Sequence, residues 1–128
     1  MTDSREIVQA DGAPAAIGPY SHAVSAAGLL FCSGQIPLDA ETGELVGGTP
    51  AEQARRCLEN LSAVCEAAGA TLERAARMTI YMTDLDAFGE VNEVYATFFP
   101  HDPPARATVG VAQLPKGAQV EIDAVIAL

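Results

Sequence analysis

Polar and hydrophobic positions along this chain follow two spacings, a period of two that is typical of strands and a period near 3.6 that is typical of helices. In the segment 74–83, Met78, Ile80 and Met82 alternate with more polar neighbours, which predicts a strand. Further strands are predicted at 5–9, 20–26, 29–36, 105–112 and 119–128. Ala27-Gly28 separates the second and third of these six segments, which predicts a hairpin.

The helical spacing occurs in two segments. Thr49-Pro50-Ala51-Glu52 has the composition of a capping box, and an apolar stripe follows it as far as Gly69, where the helix is expected to end. This stripe consists of Ala54, Leu58, Leu61, Cys65 and Ala68. Asp84 or Asp86 is predicted to cap a second helix, which ends before Pro100. Its apolar residues are Phe88, Val91, Val94, Tyr95 and Phe98.

The predicted order of elements is β-β-β-α-β-α-β-β, and 128 residues is the usual length of one domain, so residues 1–128 are expected to form a single domain. Two helices can cover one face of such a sheet. The opposite face is also partly apolar, because it carries Val24, Phe31, Val125 and Ala127. A monomer would leave that face exposed, so we expect a second subunit to cover it.

Charge narrows the classes of partner. Seventeen acidic residues and seven basic residues give a net charge of -10. Nucleic acids and anionic membranes are bound through clustered Lys and Arg, so neither is an expected partner. A small anionic substrate would need a local site built around one of the few arginines.

The histidines, glycines and cysteines indicate that metal and nucleotide sites are absent, and the cysteines and the first ten residues suggest where in the cell the protein is located. His22 and His101 are far apart and lack neighbours at ligand spacing, so no metal site is predicted. No glycine-rich cradle for a nucleotide is present, and no cofactor is expected. Cys32, Cys57 and Cys65 are interpreted as reduced core thiols. Residues 1–10 do not resemble a signal peptide, and no apolar run is long enough to span a membrane, so a cytoplasmic location is expected.

Arg106 is unusual among the basic residues because it lies inside an apolar strand. Strand alternation places Arg106, Thr108 and Gly110 on one side of 105–112 and the small apolar residues on the other. One interpretation is an edge arginine that reaches solvent or pairs with a structural carboxylate. The other is a guanidinium that binds a substrate carboxylate through two parallel hydrogen bonds.

Glu121 is the second candidate, because it is a charged residue in the last strand, on the face opposite Val120, Ile122, Ala124 and Ile126. It could be the structural partner of Arg106. Alternatively, beside an apolar pocket, it could exchange protons with a water molecule as a general acid or base.

Six segments in order resemble the reactive intermediate deaminase family, also called YjgF-like. These are Ala16 to Ser21; Ser33-Gly34-Gln35-Ile36-Pro37 with Thr42-Gly43-Glu44; 53–61; Tyr81 to Leu85; Val91 to Tyr95; and Pro104-Ala105-Arg106 through Leu114-Pro115 to Val120-Glu121-Ile122. The resemblance covers nearly the whole chain. It implies a chorismate-mutase-like α+β fold with a mixed sheet and two helices on one face.

The resemblance also implies a homotrimer whose clefts between subunits hydrolyse 2-imino or 2-enamino acids, such as 2-aminoacrylate, to 2-oxo acids and ammonia without a cofactor. Arg106 would bind the substrate carboxylate and Glu121 would position water. Tyr20, Ser33, Gly34 and Asn92 would line the pocket, with Tyr20 coming from a second subunit. Many members have a Cys two residues after the Arg, where this chain has Thr108. The Thr108 hydroxyl is expected to bind the substrate through a weak hydrogen bond, but thiol chemistry is not expected there.

Two other functions were considered. The same cleft could bind a 2-oxo acid or an amino acid as a sensor, without turnover. A ribonuclease, an activity attributed to some relatives, fits poorly with the charge of -10 and with the absence of a histidine pair for proton transfer.

Overall fold

Six strands and two α-helices form one α+β domain in the predicted order, and this fold class is confirmed. The structure is a computed structural model that describes residues 4–128; residues 1–3 of the predicted domain lie outside that range. The elements are β1 (Glu6–Val8), β2 (Ala23–Ala26), β3 (Leu29–Gln35), α1 (Pro50–Ala67), β4 (Ala75–Met82), α2 (Phe88–Phe98), β5 (Ala105–Gly110) and β6 (Val120–Ala127).

The sheet is mixed, with strand order β1-β2-β3-β6-β4-β5. Among the strands of residues 4–128, only β4 and β5 pair in parallel, and the connection between them contains α2. The predicted hairpin between β2 and β3 is confirmed. Ala27 and Gly28 both have positive φ, +54° and +78°, as a type I′ turn requires.

Helix α1 begins as the sequence predicts. The Glu52 N–H donates to Thr49 Oγ1 at 3.2 Å, and the Thr49 N–H donates to Glu52 Oε1 at 3.0 Å, which completes the capping box. Gly69 follows the helix with φ +73°, so the predicted end is also confirmed.

The predicted cap of α2 is wrong. Asp84 Oδ1 accepts a hydrogen bond from the Asp86 N–H at 3.0 Å and thereby caps a short 3₁₀ turn, Leu85–Ala87. Helix α2 begins only at Phe88, with Ala87 as an N-cap that makes no side-chain bond. The turn leads directly into the helix, so its own hydrogen bonds replace part of the cap.

The two faces of the sheet differ in what covers them. Both helices contribute to the core on one face, where β3, β4 and β6 bury Leu30, Met78, Ile80, Ile122 and Ile126. The other face, called here the open face, includes the side chains of Val24, Phe31, Thr79, Tyr81, Glu121, Asp123 and Val125. Phe31 retains 45% of its exposure there.

The cysteines lie in the core, as predicted. Cys32, Cys57 and Cys65 are all buried and unpaired. Strand alternation turns Cys32 toward the helices and away from the side of Ser33. Contact with Cys65 and burial raise the pKa of the Cys32 thiol, so it remains protonated. Within 4–128, no helix is long and apolar enough to cross a membrane.

Candidate functional site

A cavity of about 310 Å³ opens on the open face, beside the end of β3. Its walls come from the loop before β2, from β3, from β6 and from the turn between β5 and β6. The lining residues are Ile17, Tyr20, Ser33, Gly34, Ile36, Pro115 and Glu121. Four of the predicted site residues, Tyr20, Ser33, Gly34 and Glu121, therefore lie together in one chain, although Tyr20 was expected from a second subunit.

Glu121 provides the only ionisable carboxyl in this cavity lining. It is half-buried and makes no hydrogen bond with any other described residue. Burial raises the pKa of its carboxyl, and the negative charge of Asp123 raises it further. A carboxyl with a raised pKa and free oxygen atoms is suited to exchanging a proton with a bound water molecule.

Gly34 makes room for that carboxyl. A Cβ atom at position 34 would overlap Glu121 Oε2 and would lie 3.0 Å from the carboxyl carbon. The backbone of β3 therefore approaches the Glu121 side chain more closely than any residue with a side chain would allow.

Hydrogen bonds with the backbone orient two hydroxyl groups of residues that line the cavity. Ser33 Oγ donates to the Ser21 carbonyl at 2.6 Å, which leaves the Ser33 oxygen free to accept a hydrogen bond from a ligand. The Tyr20 hydroxyl accepts from the Ile17 N–H at 3.3 Å, so its proton remains available to donate. The residues that line the cavity thus offer one acceptor and one donor in addition to the carboxyl.

His22 anchors the loop that carries Ile17 and Tyr20. Its Nδ1 accepts from the Ala10 N–H at 2.9 Å, and its Nε2 lies 2.8 Å from the Pro14 carbonyl, which assigns the proton to Nε2. This role of His22 differs from the metal-ligand and proton-transfer roles that its residue type suggests. No sequence signal identifies it, because both of its partners are backbone groups.

Arg106 lies on the other side of the sheet. Its register partner in β4 is Met78, which faces the helices, so the Arg106 side chain points toward α2. Its Cζ lies 4.7 Å from the centre of the Tyr95 ring and 5.5 Å from the centre of the Phe88 ring. The ion pair found within 4–128 joins Arg56 to Glu59 and does not involve Arg106.

Asn92 and Thr108 accompany Arg106. Asn92 lies four residues after Phe88 and three before Tyr95, so the three share one stripe of α2. Thr108 is paired with Ile80 on the helix side of β5. Its Oγ1 is buried and has no hydrogen-bond partner among residues 4–128, so it is not open to a ligand in this structure.

The predicted site residues therefore form two separate groups within one chain. Glu121 is paired with Tyr81 and faces the open side, whereas Arg106 faces the helices. Strands β5 and β6 are also separated by β4, a distance of roughly 10 Å across the sheet. The interpretation of Glu121 as the structural partner of Arg106 in the same chain is wrong, because the sheet lies between the two side chains.

Metal ligation has no support in the part of the chain that the structure describes. Across 4–128, no group of three or more His, Cys, Asp or Glu side chains is arranged to hold a metal ion.

Comparison with known proteins gives consistent matches. The family model for endoribonuclease L-PSP matches residues 10–128. The 2-iminobutanoate/2-iminopropanoate deaminase of Mus musculus is 43% identical over 121 residues, which cover 94% of this chain and 90% of the mouse protein.

Solved structures agree with that similarity. RidA from the Antarctic bacterium Psychrobacter sp. superposes with a TM-score of 0.92 at 42% identity, covering 96% of this chain and 99% of that one. TdcF from E. coli, solved with bound serine, gives a TM-score of 0.91 at 40% identity, covering 96% and 98%. Sequence and fold are therefore shared over nearly the whole chain.

Proposed function

Because this chain belongs to the endoribonuclease L-PSP family, also called the YjgF or Rid family, we propose that it is a cofactor-independent deaminase. Its substrates would be 2-imino acids and 2-enamino acids such as 2-aminoacrylate, and its products 2-oxo acids and ammonia. Family membership and the mammalian deaminases support imine deaminase activity in general. The specific residues and substrates are part of the proposal.

The observation that carries the proposal is the Glu121 carboxyl in its cavity. It has a raised pKa and no internal hydrogen bond, and it lines the same cavity as Tyr20 and Ser33. A structural carboxylate would normally be paired or hydrogen-bonded when half-buried. Free oxygen atoms at this position are instead what the activation of a water molecule requires.

The proposed reaction adds water across the C=N bond. As Glu121 accepts one proton, the water oxygen bonds to C2 and the C=N π electrons move to nitrogen. Glu121 then returns the proton to nitrogen, which gives a carbinolamine. The hydroxyl proton of the carbinolamine passes through Glu121 to the same nitrogen as the C–N bond breaks, so the bonding electrons leave with ammonia and the C2–O bond becomes the carbonyl. An enamine first becomes the imine by gaining a proton at C3 and losing one from nitrogen. The imine is already electrophilic, so orientation, one water and one acid-base group are sufficient.

Arg106 is proposed to bind the substrate carboxylate. Its guanidinium has no acidic partner within the described chain, so the two parallel hydrogen bonds of a carboxylate complex remain available. The small carboxylate would be held by this one residue in a protein that otherwise repels anions, with a net charge of -10.

Since the sheet separates Arg106 from Glu121 in one chain, we propose that a substrate meets Arg106 of one copy and Glu121 of another. This requires the open face or its edge to contact a neighbouring subunit, as in the homotrimer that the resemblance implies. Phe31 and Val109, exposed by 45% and 39%, are among the apolar residues such a contact would cover.

The unpaired cysteines support the proposed cytoplasmic location.

Ammonia release from freshly generated 2-aminoacrylate tests this function. Wild-type protein should accelerate release above the uncatalysed rate, Arg106→Ala should abolish the acceleration, and Glu121→Gln should reduce it at least 100-fold, as expected for loss of a general base. Arg55→Ala removes an exposed arginine of α1, which packs on the face opposite the open face, and serves as the matched control, with unchanged turnover expected. Normal turnover by Arg106→Ala would contradict the proposal.

The sensor alternative predicts a different result. Under it, a 2-oxo acid would raise the melting temperature of the wild-type protein, but no ammonia would be released above the uncatalysed rate. A ribonuclease is not proposed, although the family model carries that description. Both ring nitrogens of His22 bind backbone groups, and His101 is exposed in a distant loop, so this chain offers no histidine pair for RNA cleavage.

A further inference from the structure

Arg106 is held by aromatic rings rather than by a carboxylate. Its Cζ lies over the Tyr95 ring at 4.7 Å and over the Phe88 ring at 5.5 Å, both within the range of a cation–π interaction. The ion pair that the described residues form lies on α1 and leaves Arg106 without an acidic neighbour. Two rings of α2 therefore provide its electrostatic support.

The type of group that holds the Arg106 guanidinium determines whether its N–H groups are free to bind a ligand. An acidic neighbour would hold the guanidinium, but it would also occupy the N–H groups that a ligand needs. An aromatic ring attracts the positive charge through its π face and accepts no conventional hydrogen bond from those N–H groups. Arg106 can thus be held in place while its hydrogen-bonding edge stays open.

Tyr95 is itself fixed. It is 6% exposed and forms part of the core, and its ring centre lies 4.8 Å from that of Phe99 at an angle of 41°. Its hydroxyl is buried and has no hydrogen-bond partner within 4–128. The ring, not the hydroxyl, accounts for the contact with Arg106. Phe88, by contrast, is 40% exposed and lies at the start of α2.

We propose that Tyr95, assisted by Phe88, is a positioning residue that holds the Arg106 guanidinium ready for a ligand carboxylate. This inference rests on the proposed function, because it takes that carboxylate to belong to the substrate or product. The position of the arginine relative to the scissile C=N bond would then depend on α2, an element that need not touch the reacting atoms.

Binding of 2-oxobutanoate, measured by calorimetry, and steady-state kinetics with the matching imine test the inference together. Tyr95→Phe keeps the ring and should stay within twofold of the wild type in affinity, KM and kcat. Tyr95→Leu should weaken binding and raise KM about tenfold while kcat changes less than twofold, because stacking on Arg106 is lost. Phe88→Leu, at an exposed site that tolerates substitution, should show the same split at about threefold.

Leu30→Val is the matched control for damage to the core. It shortens a fully buried side chain of the same cluster on β3, which β6 and β4 separate from β5. Loss of stability without a change in binding is expected. An equal loss of affinity in Leu30→Val and Tyr95→Leu would overturn the inference, as would unchanged binding in both Tyr95→Leu and Phe88→Leu.

Arg106→Met separates this inference from the proposed function. If it abolishes 2-oxobutanoate binding while the ring variants bind normally, the positioning role is overturned and the anchor role of Arg106 stands. If it binds 2-oxobutanoate as tightly as the wild type, Arg106 is not the anchor and both fail. If the ring variants bind 2-oxobutanoate more weakly but the wild-type protein releases no ammonia above the uncatalysed rate, the positioning role is supported and the deaminase activity is contradicted.

Discussion

Glu121 and Gly34 show how closely two single residues can depend on each other. The carboxyl occupies the space that any side chain at position 34 would need, and it has no hydrogen bonds that would hold it elsewhere. The glycine is required here for close approach and not for an unusual backbone angle, since its φ is not positive. Its effect on function is therefore expected to act through the position of Glu121.

Gly34→Ala should displace the Glu121 carboxyl and lower kcat by about 10- to 100-fold, as expected when a proton-transfer group is misplaced. Stability should fall much less, because the long side chain can move toward solvent. Ammonia release and thermal unfolding measure the two effects. Gly47→Ala, where an added Cβ meets nothing within 4 Å, is the control and should leave turnover unchanged.

The pKa of Glu121 links its function to the stability of the fold. Burial and Asp123 raise this pKa above its usual 4.5, so the ionised carboxylate is less favourable in the folded chain than in the unfolded one. The protonated Glu121 carboxyl therefore contributes to the stability of the fold below pH 4.5, and this contribution is lost as the pH rises through the pKa of the folded state. Glu121→Gln should therefore melt at a higher temperature than the wild type at pH 8, although it is inactive.

The difference in melting temperature between wild type and Glu121→Gln should disappear at pH 4, where both side chains are neutral. The acid limb of kcat/KM for the wild type should lie above pH 4.5. Glu90→Gln removes an exposed carboxylate of α2 and is the control; it should not melt at a higher temperature than the wild type at pH 8. A Glu121→Gln variant that is less stable than the wild type at pH 8 would contradict this account.

At the scale of elements, the hydrophobic pattern predicts where the helices and strands lie better than it predicts which other elements they pack against. The capping box of α1 and the turn at Ala27-Gly28 depend on nearby residues, so their positions follow from the sequence. Alternation in β5 identifies Arg106 and Thr108 as sharing a side. It does not say whether that side faces the helices, because sheet order depends on contacts between distant segments.

The sequence pattern does not reveal the roles of Phe88, Tyr95 and His22, because these roles also depend on contacts between segments that are distant in the chain. Phe88 and Tyr95 have the helical spacing of core residues, and only the packing of α2 against β5 reveals that they lie beside Arg106. His22 acts on backbone groups 8 and 12 residues away, which leave no pattern in the sequence. Glu121 and Arg106 were identifiable because a charge in an apolar strand is unusual.

The loop before β2 is the element whose order depends most on one side chain. His22→Ala removes both hydrogen bonds of the ring and leaves the Ala10 N–H and the Pro14 carbonyl without partners. Unfolding in urea should show a loss of about 2–4 kcal/mol. His101→Ala changes the other, exposed histidine and should stay within about 0.5 kcal/mol of the wild type. Equal stability of the two variants would exclude the anchoring role.

At the scale of the whole molecule, a single chain does not explain why the open face exposes apolar side chains such as Phe31. Phe31→Asp places a charge at its centre, where Val24 and Val125 are its register partners. The variant should dissociate to a monomer that loses deaminase activity, because burying an unpaired charge in an interface is strongly unfavourable. Light scattering with size-exclusion chromatography measures the mass.

Leu128→Asp is the control for Phe31→Asp. It alters a residue of similar exposure, 50%, that lies beyond the end of β6. Its mass and activity should match the wild type. A wild-type protein that is itself monomeric and fully active would contradict the proposed assembly.

The placement of Arg106 and Glu121 on opposite sides of one sheet also has a genetic consequence. If each site takes its arginine from one copy and its glutamate from another, Arg106→Ala and Glu121→Gln chains should complement each other when they assemble together. Random mixing in equal amounts would leave about one quarter of the sites with both residues intact, since each contributor is wild type at its position half of the time. Two inactive alleles expressed in one cell would then restore partial activity, while either allele alone would restore none.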